Sequence, residues 1–117
     1  MKVLGRIKEA DTYSKQALEL LPDLPETSGT RGTVLICLGQ LKEGKELVIA
    51  AEQGLKNPSS LAENAAALAV AAAKENKPER ALALMKKARR LDASNKKVEW
   101  VKGQLDELGV YTRPAST

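Results

Sequence analysis

The sequence predicts an all-α protein of about six helices, paired into stacked antiparallel hairpins. Three observations carry this expectation. The 117 residues hold 17 Leu and 17 Ala and no Phe, a core composition that favours closely packed helices over a β-sandwich. Apolar residues recur at helical spacing along most of the chain, and the pattern breaks at Pro, Gly and Asn. Finally, a segment that is apolar nearly all round is followed by an amphipathic one, the alternation of inner and outer helices expected in a hairpin stack.

The elements follow in order. Residues 2–21 place Val3, Ile7, Ala10, Ala17 and Leu21 at helical spacing and stop at Pro22. The stretch PDLPETSGTRG (22–32) reads as a connector. A second helix is expected from about Thr30 to Leu41, with Gly44 as the break after it. The third runs from Lys45 to Lys56, carries Leu47, Val48, Ala51 and Leu55 on one face, and ends at Asn57-Pro58. Ser60-x-x-Glu63 has the form of a capping box opening a fourth helix over 61–75. In that helix Leu61, Ala65, Leu68 and Ala72 form one face, and Ala66, Val70 and Ala73 cover much of the other. Pro78 suits the first turn of a fifth helix reaching Leu91. Its apolar stripe is Ala81, Leu84, Met85, Ala88 and Leu91, opposite Lys86, Lys87 and Arg90. Asn95 is placed to cap a last helix through Val98, Val101, Leu105 and Leu108, stopped by Gly109, and residues 110–117 read as a flexible tail.

Composition narrows the function. The chain has no His and a single Cys, Cys37, so His-dependent triads and His-bearing zinc sites are excluded, as is an intrachain disulfide. No paired acid and base, phosphate-cradling glycine loop or metal-ligand cluster stands out, so the expectation is a protein that is not an enzyme and holds no cofactor and no metal. The longest apolar run, 65–73, is half the length of a membrane span, and the N-terminus lacks the apolar stretch of a secretory signal. These features, with the lone Cys, point to a cytoplasmic protein. The formal charge is +4, concentrated between Lys74 and Lys102.

Residues 62–95 form a 34-residue helix–turn–helix unit that resembles a tetratricopeptide repeat (TPR). Leu68-Ala69 fits the Leu-Gly/Ala pair of the first helix, Asn76 the turn glycine, Ala81 and Ala88 the small residues of the second helix, and LDASN the closing run. Residues 5–23 match a second half repeat, with Gly5 at the turn and Glu9-Ala10 at the opening of its helix. A middle repeat over 30–61 fits with Leu38-Gly39 in the Leu-Gly slot. A second register, with Gly44 at the turn and Cys37 in the glycine slot, stays open. The resemblance implies a right-handed α-solenoid fragment within one domain over 1–109, its last element a capping helix over 95–108. It departs from the family in its aromatic slots, filled by Ala65, Ala72 and Met85.

The resemblance further implies a protein-interaction scaffold that binds a partner segment in a concave groove. The positions carried over are Ile36, Gln40, Glu63, Ala66, Ala67, Val70, Ala73 and Lys74. The competing reading of Ala66, Val70 and Ala73 is burial under the last helix. Trp100 lies off the apolar stripe of that helix, is expected to be partly exposed, and is a candidate partner anchor. The basic run Lys86, Lys87, Arg89, Arg90, Lys96 and Lys97 offers an outer face for an anionic partner or nucleic acid, or is simply a solvated helix face. With no aromatic interleaved in it, nucleic acid is disfavoured. Cys37, in the apolar TVLICLG stretch, reads as a buried, inert thiol. A chain opening on the second helix of a repeat would leave about 200–400 Å² of apolar surface, ~5–10 kcal/mol as an upper bound, to be covered by self-association. A homo-oligomer through this N-terminal edge is one expectation. The alternatives are that upstream repeats were removed, that residues 1–4 extend the first helix and the core closes differently, or that the chain is a purely structural, self-associating segment.

Overall fold

A computed structural model describes residues 2–107. Six α-helices make up this stretch, with no strand among the described residues: α1 (Lys2–Leu20), α2 (Pro25–Cys37), α3 (Leu41–Glu52), α4 (Pro58–Lys74), α5 (Pro78–Leu91) and α6 (Lys96–Glu107). The stop expected at Gly109 and the tail over 110–117 lie outside the described residues. Where the sequence reads as one domain over 1–109, the helices gather into two compact units, Met1–Lys56 with α1 to α3 and Asn57–Thr117 with α4 to α6.

The first unit departs most from the sequence reading. Gly5, expected at a turn, lies inside α1, which is one unbroken helix. The connector expected over 22–32 is much shorter, because α2 begins at Pro25. Proline is at ease there: its missing N–H would have no helical partner in the first turn, and its φ is preset. The small residues that read as loop, Thr27, Gly29 and Gly32, are buried on this helix. Thr27 Oγ1 shares its proton between the carbonyls of Leu21 and Leu24, each at 2.7 Å, and so braces the corner between α1 and α2.

Gly44 is no break either. It lies within α3, buried where α3 crosses α2. A Cβ on Gly32 would stand 2.6 Å from the carbonyl oxygen of Gly44, and one on Gly44 would stand 2.7 Å from that of Gly32. Two bare backbones meet at this crossing, an approach that side chains would forbid. The chain reverses instead at Gly39, at φ +91°. The amide of Gly39 bonds the carbonyl of Ile36 at 3.0 Å and that of Gln40 bonds Leu35 at 2.9 Å, the paired closure of a Schellman turn. Neither register expected for a repeat over 30–61 survives, since Leu38-Gly39 forms the turn itself.

In the second unit α4 is capped by Asn57, whose side chain accepts from the Ser59 amide at 2.8 Å. It therefore starts three residues before Leu61, and the Ser60/Glu63 capping box does not form. α4 packs against both α5 and α6. α5 starts at Pro78 as expected and buries Ala81, Met85 and Ala88. Asn95 caps α6, its Oδ1 accepting from the amides of Lys97 (2.8 Å) and Val98 (3.1 Å). The turn between α4 and α5 repeats the Gly39 turn: Asn76 stands at φ 65°, its amide bonds Ala73 at 3.1 Å, and that of Lys77 bonds Ala72 at 2.8 Å.

The two turns are 37 residues apart, and the same step carries Gly32 to Ala69, Gly44 to Ala81, Val48 to Met85 and Ala51 to Ala88, all buried. The α2/α3 and α4/α5 hairpins thus share one internal plan. Left-handed backbone is open to Asn and easier for Gly, so Asn76→Gly is expected to raise stability by about 0.5–1 kcal/mol and Gly39→Ala to lower it by about 1 kcal/mol. Urea midpoints of the two variants check both signs.

Candidate functional site

The groove residues divide sharply. Ile36, Ala66, Ala67 and Val70 are core, with at most 2% of their surface exposed, so no partner reaches them in this structure. Ala73 and Glu63 are half-buried. Glu63 already has partners: Asn95 Nδ2 donates to its carboxylate at 2.9 Å, and Lys97 Nζ stands 3.3 Å away. Only Gln40, Lys74 and Trp100 are exposed. The expected groove of α4 is a packing surface, because a helix with buried residues on several sides has no open face to lend. Its apolar pattern looked the same whether a ligand or its own chain covers it.

The basic residues do reach solvent. Lys86, Lys87 and Arg90 share the outer arc of α5 with Ala83 and Glu79, and Lys96 is exposed on α6. Arg89 bridges to Glu99 of α6 at 3.4 Å. Trp100 is 41% exposed and flanked on its helix face by Lys96 and Lys97, one turn before it, and by Gly103, one turn after. An aromatic side chain therefore stands beside cations on α6, although none is interleaved in the basic run of α5. Cys37, expected to be buried, is half-buried as the last residue of α2.

A surface the sequence reading passed over lies on the first unit. Tyr13, Leu20, Leu21 and Leu24 are exposed at 69%, 80%, 53% and 42%, along the end of α1 and the corner into α2. Thirty-four residues further on, the same pattern recurs in α3 with more cover: Leu47 is half-buried, Ala51 buried and Leu55 7% exposed, against the exposed Tyr13, half-buried Ala17 and exposed Leu21 of α1. The exposed part of the four side chains amounts to roughly 400–500 Å², the size of patch that marks contact sites on small proteins. Around it stand Glu19, Asp23 and Glu26, all exposed, and residues 16–30 contain no Lys or Arg. The signal for it in the sequence is this run of acids around Leu20, Leu21 and Leu24.

α1 and α2 are also tied together along their length. Arg31 of α2 forms an ion pair with Asp11 of α1, and its Nη1 also donates to the Asp11 carbonyl at 3.0 Å and to Ser14 Oγ at 3.2 Å. Ser14 is buried and the Arg31 side chain nearly so. Arg31→Met, which keeps the apolar stem and removes the donors, is expected to cost about 1–2 kcal/mol. Thermal melting of the variant measures this, and an unchanged midpoint would show that the bridge contributes nothing.

Among the described residues no group of acidic or Cys side chains is arranged to hold a metal ion, and no helix is long and apolar enough to cross a membrane. No protein-family model matches the chain, and no curated protein or solved structure matches it.

Proposed function

We propose that the chain is a non-catalytic protein-interaction module of the tetratricopeptide-like kind, working in the cytoplasm and binding a partner segment through the corner of α1 and α2. The observation that carries the reading is the exposed set Tyr13, Leu20, Leu21 and Leu24 on a turn braced by Thr27. Exposed leucines on a hydrogen-bonded turn offer apolar anchoring with little ordering left to do on binding. The tetratricopeptide likeness is supported by the plan common to the two hairpins, with small residues at the crossings and left-handed turns at Gly39 and Asn76. The acidic rim favours a segment with apolar anchors and basic flanks. Selection from a random-peptide library on the immobilised protein is expected to enrich such sequences, and Leu20→Glu to abolish their binding while leaving the circular dichroism unchanged. Enrichment indifferent to Leu20→Glu, or none, overturns the reading.

A second reading rests on Lys86, Lys87 and Arg90, all exposed on one face of α5: an anionic partner bound there. Heparin binding that falls steeply with salt and is lost in Lys86→Glu/Arg90→Glu would favour it.

A further inference from the structure

We infer that the partner of the α1–α2 corner is a second copy of the chain, which docks the Trp100 face of its α6 there in a head-to-tail contact. The inference rests on the binding role proposed for that corner. Its ground is that the chain carries both halves of a complementary pair. On the first unit, Leu20, Leu21 and Leu24 are apolar anchors rimmed by Glu19, Asp23 and Glu26, with no cation between residues 16 and 30. On the second, Trp100 is an exposed aromatic with the exposed Lys96 and Lys97 on the turn before it; of the acids near it, Glu63 is paired with Lys97 and Glu99 is engaged by Arg89.

The two surfaces are complementary in charge, cations against carboxylates, and the indole of Trp100 offers a knob to the leucines. Both are exposed in this structure. The first unit has eight basic and eight acidic residues and the second eleven and seven, so the net charge of +4 belongs to the half that would be the donor. Attraction between unlike ends favours this pairing over the isologous one, in which acidic corner would meet acidic corner. The apolar area of the corner is about half the ~800 Å² per partner of a standard interface, so the contact is weak and concentration-dependent. A heterologous contact also leaves one free surface of each kind on every pair, and so propagates into rings or chains.

Sedimentation equilibrium from about 10 μM to about 1 mM tests this with the whole chain. The wild type is expected to exceed the dimer mass at the upper end and to dissociate as salt is added. Leu20→Glu and Trp100→Glu are each expected to weaken self-association at least about tenfold. Their equimolar mixture is expected to restore a dimer and nothing larger, because one intact corner meets one intact Trp100 face. Glu19→Lys/Asp23→Lys/Glu26→Lys, confined to exposed positions, repeats the loss without touching an apolar side chain. A wild type that stays monomeric at about 1 mM overturns the inference, as does a mixture that fails to reassociate when both variants keep wild-type circular dichroism. If the wild type is monomeric yet library peptides bind in a Leu20-dependent way, the self-docking inference falls and the proposed binding function stands. If Leu20→Glu alters neither, both fall.

Discussion

Gly44→Ala is expected to lower stability by about 1–3 kcal/mol, although alanine is the better helix former by about 1 kcal/mol. The crossing of α2 and α3 leaves no room for it. The new Cβ would stand 2.7 Å from the carbonyl oxygen of Gly32 and 2.9 Å from the amide nitrogen of Ile36, backbone atoms that cannot rotate away. The helices must separate, and Val48 and Ile36, both fully buried, lose contact with their neighbours. Gly103→Ala supplies the control. Gly103 also lies inside a helix, α6, but a Cβ there meets nothing within 4 Å, so propensity acts alone and should add about 0.5–1 kcal/mol. Urea denaturation followed by circular dichroism reads both. If Gly44→Ala raises the midpoint as Gly103→Ala does, the close crossing is not what holds α2 to α3.

Asn95→Ala is expected to cost about 2–4 kcal/mol, more than the loss of a helix cap alone. Asn95 is buried and serves two helices at once. Its Oδ1 closes the first turn of α6, while its Nδ2 donates to Ser59 Oγ at 2.8 Å and to the Glu63 carboxylate at 2.9 Å, both on α4. Truncation leaves two amides at the start of α6 and a half-buried carboxylate without this donor. Asn95→Ser separates the roles, since a hydroxyl still caps α6 but is too short to reach α4; about half the loss should return. Equal losses in the two variants, measured by thermal melting, would mean that the cap contributes nothing. Asn95 joins the start of α6 to α4 by hydrogen bonds, beside the Lys97–Glu63 ion pair, and the cap was the only one of its roles visible in the sequence.

How much could be read without coordinates follows from what kind of signal each residue gives. The all-α class, the Pro78 start of α5, the Asn95 cap and the partial exposure of Trp100 rest on periodicity and local backbone chemistry, and the structure agrees with each. The errors cluster where a small residue had two meanings. Gly29, Gly32 and Gly44 read as loop and break because glycine weakens a helix, but here tertiary packing overrides propensity and uses the missing side chains for close approach. Gly39 is expected inside a helix, in a Leu-Gly slot, and Gly44 at the break or turn; the hydrogen bonds from Gly39 and Gln40 place the turn at Gly39 instead. Pattern alone could not tell a groove from a core. Ala66, Ala67 and Val70 are apolar in either case, whereas the exposed Leu20 and Leu21 lie in a run that resembles a buried helix end.

Trp100 has a practical consequence. It is the chain's only tryptophan, and it stands at the surface rather than in the core. At 41% exposure its indole is already in contact with water, so loss of the core around Val98, Val101 and Leu105 is expected to shift its emission less than it would for a buried tryptophan. A blue shift on concentration or on addition of a ligand would instead report that something has settled on α6. Intrinsic fluorescence in this protein is thus a gauge of contact rather than of folding, and melts followed at tryptophan wavelengths would understate the cooperativity that circular dichroism records.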